Sequence, residues 1–280
     1  MLRADEVIEL GVEFSDKDAA ALYSQLTGVL AGFAFAGMIM VVTSRFERSK
    51  PMDDPPQQTP DPIQVATSRA LTLLVSAFFG LVAVSLAYAL IGGDQVPERA
   101  AVGHVIAGAG FGSSALALLL SVFYLIEAAD PELRRTLNLV AVRISPLAVA
   151  AYIVVGVLDV ENLQDTVGAP EKVGAAVLMS IPVAGLIVSP RLRGRFAKQE
   201  WQTGAVRHFA TGSLILTVLC AIAIPILLAV SGEGNAPLPL AWIAAALGVA
   251  ACGAVTLSSP GGATPPLSGR RGTEMHARTS

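Results

Sequence analysis

Along the chain, long uncharged runs alternate with short polar connections. Seven runs stand out, at residues 23–43, 70–91, 104–126, 139–158, 173–188, 209–230 and 240–257. An α-helix needs roughly twenty apolar residues to cross a hydrocarbon core about 30 Å thick. The pattern therefore predicts seven transmembrane helices, the fifth being the shortest.

The boundaries carry their own signals. Ser15 and Asp18, ahead of the first run, have the form of a capping box, which starts helix 1 near Asp16 and ends it about Ser44. The segment DDPPQQTPDP, within the loop 45–64, cannot hold regular structure. Gly92 and Gly93 close the second run, and Ser189-Pro190 ends the fifth. Asp130-Pro131 supplies a cap and a first-turn proline before the fourth.

Composition removes the alternative of a soluble domain. The chain is 53% hydrophobic and 15% charged, with a mean hydropathy of +0.62, whereas soluble domains are about one quarter charged. Three segments result: an acidic arm at 1–21, a membrane domain at 22–257, and a Gly/Pro/Ser-rich tail at 258–280 that is predicted to be disordered. The first twenty residues lack a basic n-region, so the first run is expected to be a retained anchor and not a cleaved signal.

Charge then orients the chain. The loops after spans 1, 3, 5 and 7 hold fifteen of the nineteen lysines and arginines, counting Arg143 with the loop before it. The N-terminal arm and the remaining loops hold thirteen of the twenty-two acidic residues. Lys/Arg enrichment marks the cytoplasmic side, so the expectation is an all-α, polytopic bundle of seven transmembrane helices with the N-terminus outside and the C-terminus inside. The Ala/Gly/Val/Leu richness and the preference for arginine over lysine suggest a bacterial plasma membrane. Trp201 and Trp242 fall at interfacial depth on opposite sides.

Several chemistries lack their residues. Retinal attachment needs an intramembrane lysine, and no span contains one. Zinc hydrolysis needs about three converging ligands, whereas His104, His208 and His276 fall at the outer surface, the inner surface and the tail. The serines of GFGSS (110–114) have no histidine or lysine at their depth. There is no phosphate-binding glycine loop, no carboxylate inside a span of the kind coupled transporters use, and no surface suited to nucleic acid. Cys220 and Cys252 lie in apolar runs and are expected to be packing residues. No catalytic residue, cofactor or metal site is predicted.

Three candidate sites remain. Arg143, in LVAVRISPLAV, is the one charge within the spans as bounded above. It lies about a turn from the inner boundary, where it can snorkel or pair with Glu127. Pro146 removes the amide that would bond the Val142 carbonyl, bending the helix beside it. Gly28, Gly32 and Ala36 in helix 1, with Gly108 and Gly112 in helix 3 beside Gly110, Ser113 and Ser114, recur at helical spacing. Such small faces pack helices closely in lipid, either helix 1 against helix 3 or against another chain. Arg191, Arg193, Arg195 and Lys198 lie at the inner surface, placed to orient the chain and meet anionic lipid headgroups. Pro182 and Pro225 join Pro146 in interrupting helices 4–6, a feature that can open cavities.

The expected function is a non-catalytic membrane component that assembles with a protein partner or a second copy. The alternative is a passive channel or uncoupled carrier for a small neutral or cationic solute, using helices 4–6 and Arg143.

Overall fold

The computed structural model describes residues 16–48, 62–127, 133, 136–163, 169–193, 199–231 and 237–258. They form seven helices: α1 (Asp16–Arg48), α2 (Pro62–Gly92), α3 (Pro97–Glu127), α4 (Ser145–Leu163), α5 (Ala169–Arg193), α6 (Gln199–Val230) and α7 (Leu238–Ser258). A π-helical turn, Asn138–Ile144, runs directly into α4. Helices satisfy their backbone groups internally, which an apolar surrounding demands. Six of them are long and apolar enough to cross a membrane. The chain is thus a multi-pass membrane protein by construction. In α5 the described apolar stretch, Val173–Gly185, is shorter than a full span.

Where the helices start and stop follows from local chemistry. Proline stands at the first position of α2 and α3, where its missing amide costs nothing. Gly93 and Asp94 donate their amides to the carbonyls of Leu90 and Ile91, closing α2. Asp94 accepts from the Val96 amide at 3.2 Å and forms a bidentate ion pair with Arg99. Arg99 also donates to the carbonyl of Ser231 at 2.6 Å, just past the end of α6. One arginine thereby ties the α2–α3 turn to the end of α6.

Helix α3 is the hub. It packs against α1, α2, α4, α6 and α7, and 72% of its most apolar window is buried, against 22% for α1. The sequence explains this, because small residues occupy its whole circumference and not one stripe. A Cβ on Gly110 would meet Val84 of α2 and Cys220 of α6, and one on Gly112 would meet Val149 of α4. Ala109 lies against Gly248 of α7. Only a thin helix admits neighbours on every side. Both cysteines are buried and free.

The expected pairing of helix 1 with helix 3 through their glycines is not what forms. Gly28, Gly32 and Ala36 are exposed, and a Cβ on Gly32 would have nothing within 4 Å. Gly108 and Gly112 instead serve α4, through Tyr152 and Val149. Helix α1 packs chiefly on α2, along Ala20, Ser24, Thr27, Ala31, Ala34 and Val41. From Ala20 to Ala34 those positions alternate steps of four and three, and Val41 follows a full seven on, keeping one seam facing the partner. A strict four-residue row drifts about 40° per step at 3.6 residues per turn, so the glycine row turns away from the seam beyond Gly28, where a Cβ would still lie 3.8 Å from Ser85 Oγ. Ser24 and Ser85 lock the pair by each donating to the other's carbonyl, at 3.0 and 2.9 Å.

Candidate functional site

The most distinctive polar grouping lies where α1 begins, α2 ends and α3 begins, against the middle of α4. Tyr23 (α1), Tyr88 (α2), His104 and Phe111 (α3) and Tyr152 (α4) converge there. Tyr23 stacks on Tyr88 with centroids 5.3 Å apart, meets His104 edge-on at 5.3 Å, and touches Phe111 and Tyr152 at 6.0 Å each. Edge-on and offset contacts suit the ring quadrupoles. His104 Nε2 and the Tyr152 hydroxyl share a hydrogen bond of 2.7 Å.

Glycine makes the cluster possible. A Cβ on Gly108 would stand 3.2 Å from Tyr152 Cε1 and 3.7 Å from the Tyr88 hydroxyl, so any larger residue would push the phenols apart. Beside the His104–Tyr152 pair lies a cleft of about 160 Å³, bounded by α1, α3 and α4 and reaching the exposed Asp159. Tyr152→Phe is expected to lower stability by about 1 kcal/mol, the scale of an interhelical hydrogen bond in lipid. Thermal unfolding measures it, and an unchanged midpoint would mean that the bond contributes nothing.

This site went unseen in the sequence because His104 reads as a surface residue and the tyrosines as scattered polarity. A usable signal was present. Counted from the same bundle end, Tyr23, Tyr88, His104 and Tyr152 lie at comparable depths in four helices of alternating direction. His104 is half-buried within the bundle and not simply at its surface. His208 belongs near the start of α6, at the opposite bundle end.

A second polar seam holds the middle of the bundle. Thr217 of α6 lies 3.3 Å from the Ser113 hydroxyl and 3.1 Å from that of Ser114, and Ser76 of α2 donates to the Ala210 carbonyl at 2.7 Å. A Cβ on Gly80 would collide with Ser114, so α2, α3 and α6 meet at their closest here. The Ser76, Ser113 and Thr217 hydroxyls each also donate to a carbonyl, which suits the seam to packing.

Arg143 is exposed, at the end of the π turn. The Glu127 side chain lies outside the described residues. Pro146 is buried immediately after that turn. The ladder widens, with the Ser145 amide donating to the Val140 carbonyl five residues back. Arg143 is also not the only charge within an apolar window. Arg69 lies in the α2 window Ile63–Gly92, buried, with its guanidinium carbon 5.7 Å from the Tyr124 ring centre. The sequence reading stopped one residue short, at Ala70. Arg191 and Arg193 end α5, while Arg195 and Lys198 lie outside the described residues. Pro182 is buried and Pro225 exposed.

Compared with protein-family models, curated proteins and solved structures, this chain matches none of them.

Proposed function

We propose that this chain is a non-catalytic, seven-span component of a bacterial plasma membrane that assembles through the outward face of α1 with a second membrane chain or with its own copy. The observation that carries the proposal is the open row of Gly28, Gly32 and Ala36 on a helix whose other face already holds the bundle. In lipid, association depends on close backbone approach, and this row offers it on the bundle surface.

Support for the seventh span is that α5, with 25 residues, reaches about 37 Å at 1.5 Å per residue. Support for the N-terminus outside and the C-terminus inside is the Lys/Arg bias of the loops. With that orientation Arg191, Arg193, Arg195 and Lys198 meet the inner headgroups, where anionic lipids attract them. The exposure of Arg143 favours the same headgroup role over a place in a permeation path.

Gly32→Leu and Ala36→Leu are each expected to weaken association about tenfold while leaving the unfolding midpoint at its wild-type value. Particle mass in mild detergent, together with the proteins that co-purify, reads the first, and thermal unfolding the second. An assembled particle of unchanged mass in both variants would sink the proposal. A reporter fused after Leu257 that proved extracytoplasmic would overturn the orientation.

A further inference from the structure

The cleft beside the aromatic cluster has three properties that together specify a guest. Its size, about 160 Å³, is that of a cavity that accepts a benzene-sized molecule. Its walls are mainly apolar, from Val105 and Ile153, and the small residues Ala101, Gly108 and Gly156 keep it open. Its polar groups are few and placed apart. The hydrogen-bonded His104–Tyr152 pair stands on one wall, and the Asp159 carboxylate is exposed.

Charge decides among possible guests. Asp159 is the one carboxylate among the described lining residues, and no lysine or arginine is among them. An anion would face that carboxylate without a counter-charge. A purely apolar guest would gain from the walls and leave the carboxylate unused. A compact apolar body bearing an ammonium satisfies both. We infer that the cleft between α1, α3 and α4 binds a small organic ammonium, its apolar body between Val105 and Ile153 and its charge toward Asp159. This inference does not depend on assembly through α1.

The test is calorimetric titration of the whole protein, in an uncharged maltoside detergent near neutral pH. The probes are benzylamine, its neutral isostere benzyl alcohol, and benzoate. Benzylammonium is expected to bind about tenfold more tightly than benzyl alcohol, with benzoate weakest. Asp159→Asn, a change at an exposed position, is expected to remove most of that preference while leaving benzyl alcohol binding as it was. Ala19→Leu, which narrows the cleft from α1, is expected to weaken both probes. Equal binding of amine and alcohol, an Asp159→Asn variant that keeps the preference, or no binding of either probe would each overturn the inference. Added phosphatidylethanolamine distinguishes two sources of the same chemistry. Competition with benzylammonium assigns the site to a lipid headgroup ammonium, and undisturbed binding assigns it to a soluble amine.

Discussion

Gly112→Leu is expected to cost about 3 kcal/mol or more and to remove most of the folded bundle from detergent extracts. Overpacking a well-filled interior typically costs about 1–3 kcal/mol, and more when the neighbours cannot move. Here a Cβ alone would collide with Val149 Cγ1, and leucine adds three further carbons beyond it. Helix α3 cannot slide aside, because α1, α2, α4, α6 and α7 hold it. The comparison that isolates packing is Gly32→Leu, the same chemical change at a position with nothing within 4 Å. Thermal unfolding should separate the two by many degrees. A Gly112→Leu protein melting within a degree or two of wild type would show that α3 and α4 are not as closely seated as described.

Arg99→Ala is expected to destabilise the fold by about 3 kcal/mol, because it leaves a buried carboxylate without its counter-charge. The Asp94 side chain is 2% exposed and that of Arg99 18%, and the same guanidinium holds the Ser231 carbonyl. The hydrogen bond from Arg99 holds the Asp94 carboxyl below its ordinary pKa, against the opposing effect of burial, with help from the Val96 amide. A pKa lowered by folding means that the stabilisation is complete above the ordinary carboxylate value, about 3.9. It is lost as pH falls through the lowered value. The wild-type protein is therefore expected to lose stability on acidification below about pH 4. In Arg99→Ala and Asp94→Asn this part of the acid dependence should be flatter. Midpoints measured from pH 3 to 7 in all three proteins would test it, and parallel curves would refute the assignment.

The helices were legible in the sequence because an apolar surrounding leaves a continuous uncharged run only one economical backbone form. A boundary was legible where paired glycine set it, at Gly92-Gly93, but not at Ser189-Pro190, which α5 runs past to end at Arg193. Neighbours were not. A spacing of four identifies small faces but does not say which helix each will meet, so Gly28 and Gly108 looked like partners and are not. Choosing between them required knowing that Ser24, Thr27, Ala31 and Ala34 form the competing seam. Pro146 announced a disturbance, but its π form depends on how the preceding turn relaxes. The aromatic cluster was hidden for another reason. Its members are separated by up to 129 residues, from Tyr23 to Tyr152, and only antiparallel packing brings them level.

The central seam also bears on biogenesis. Helix α3 enters the bilayer before α6 has been synthesised, so Ser113 and Ser114 must wait in lipid or against early neighbours for Thr217. Ser113 already donates to the Gly110 carbonyl one turn back, at 3.0 Å, and Thr217 to that of Ser213 at 2.7 Å. These local bonds let Ser113 and Thr217 travel satisfied within their own helices. The late helix then arrives as a nearly apolar rod, and the contacts between hydroxyls are made only when α6 reaches the seat that Gly80 and Gly110 hold open. Insertion and assembly can thus proceed in the order of synthesis with the Ser113 and Thr217 hydroxyls paired throughout.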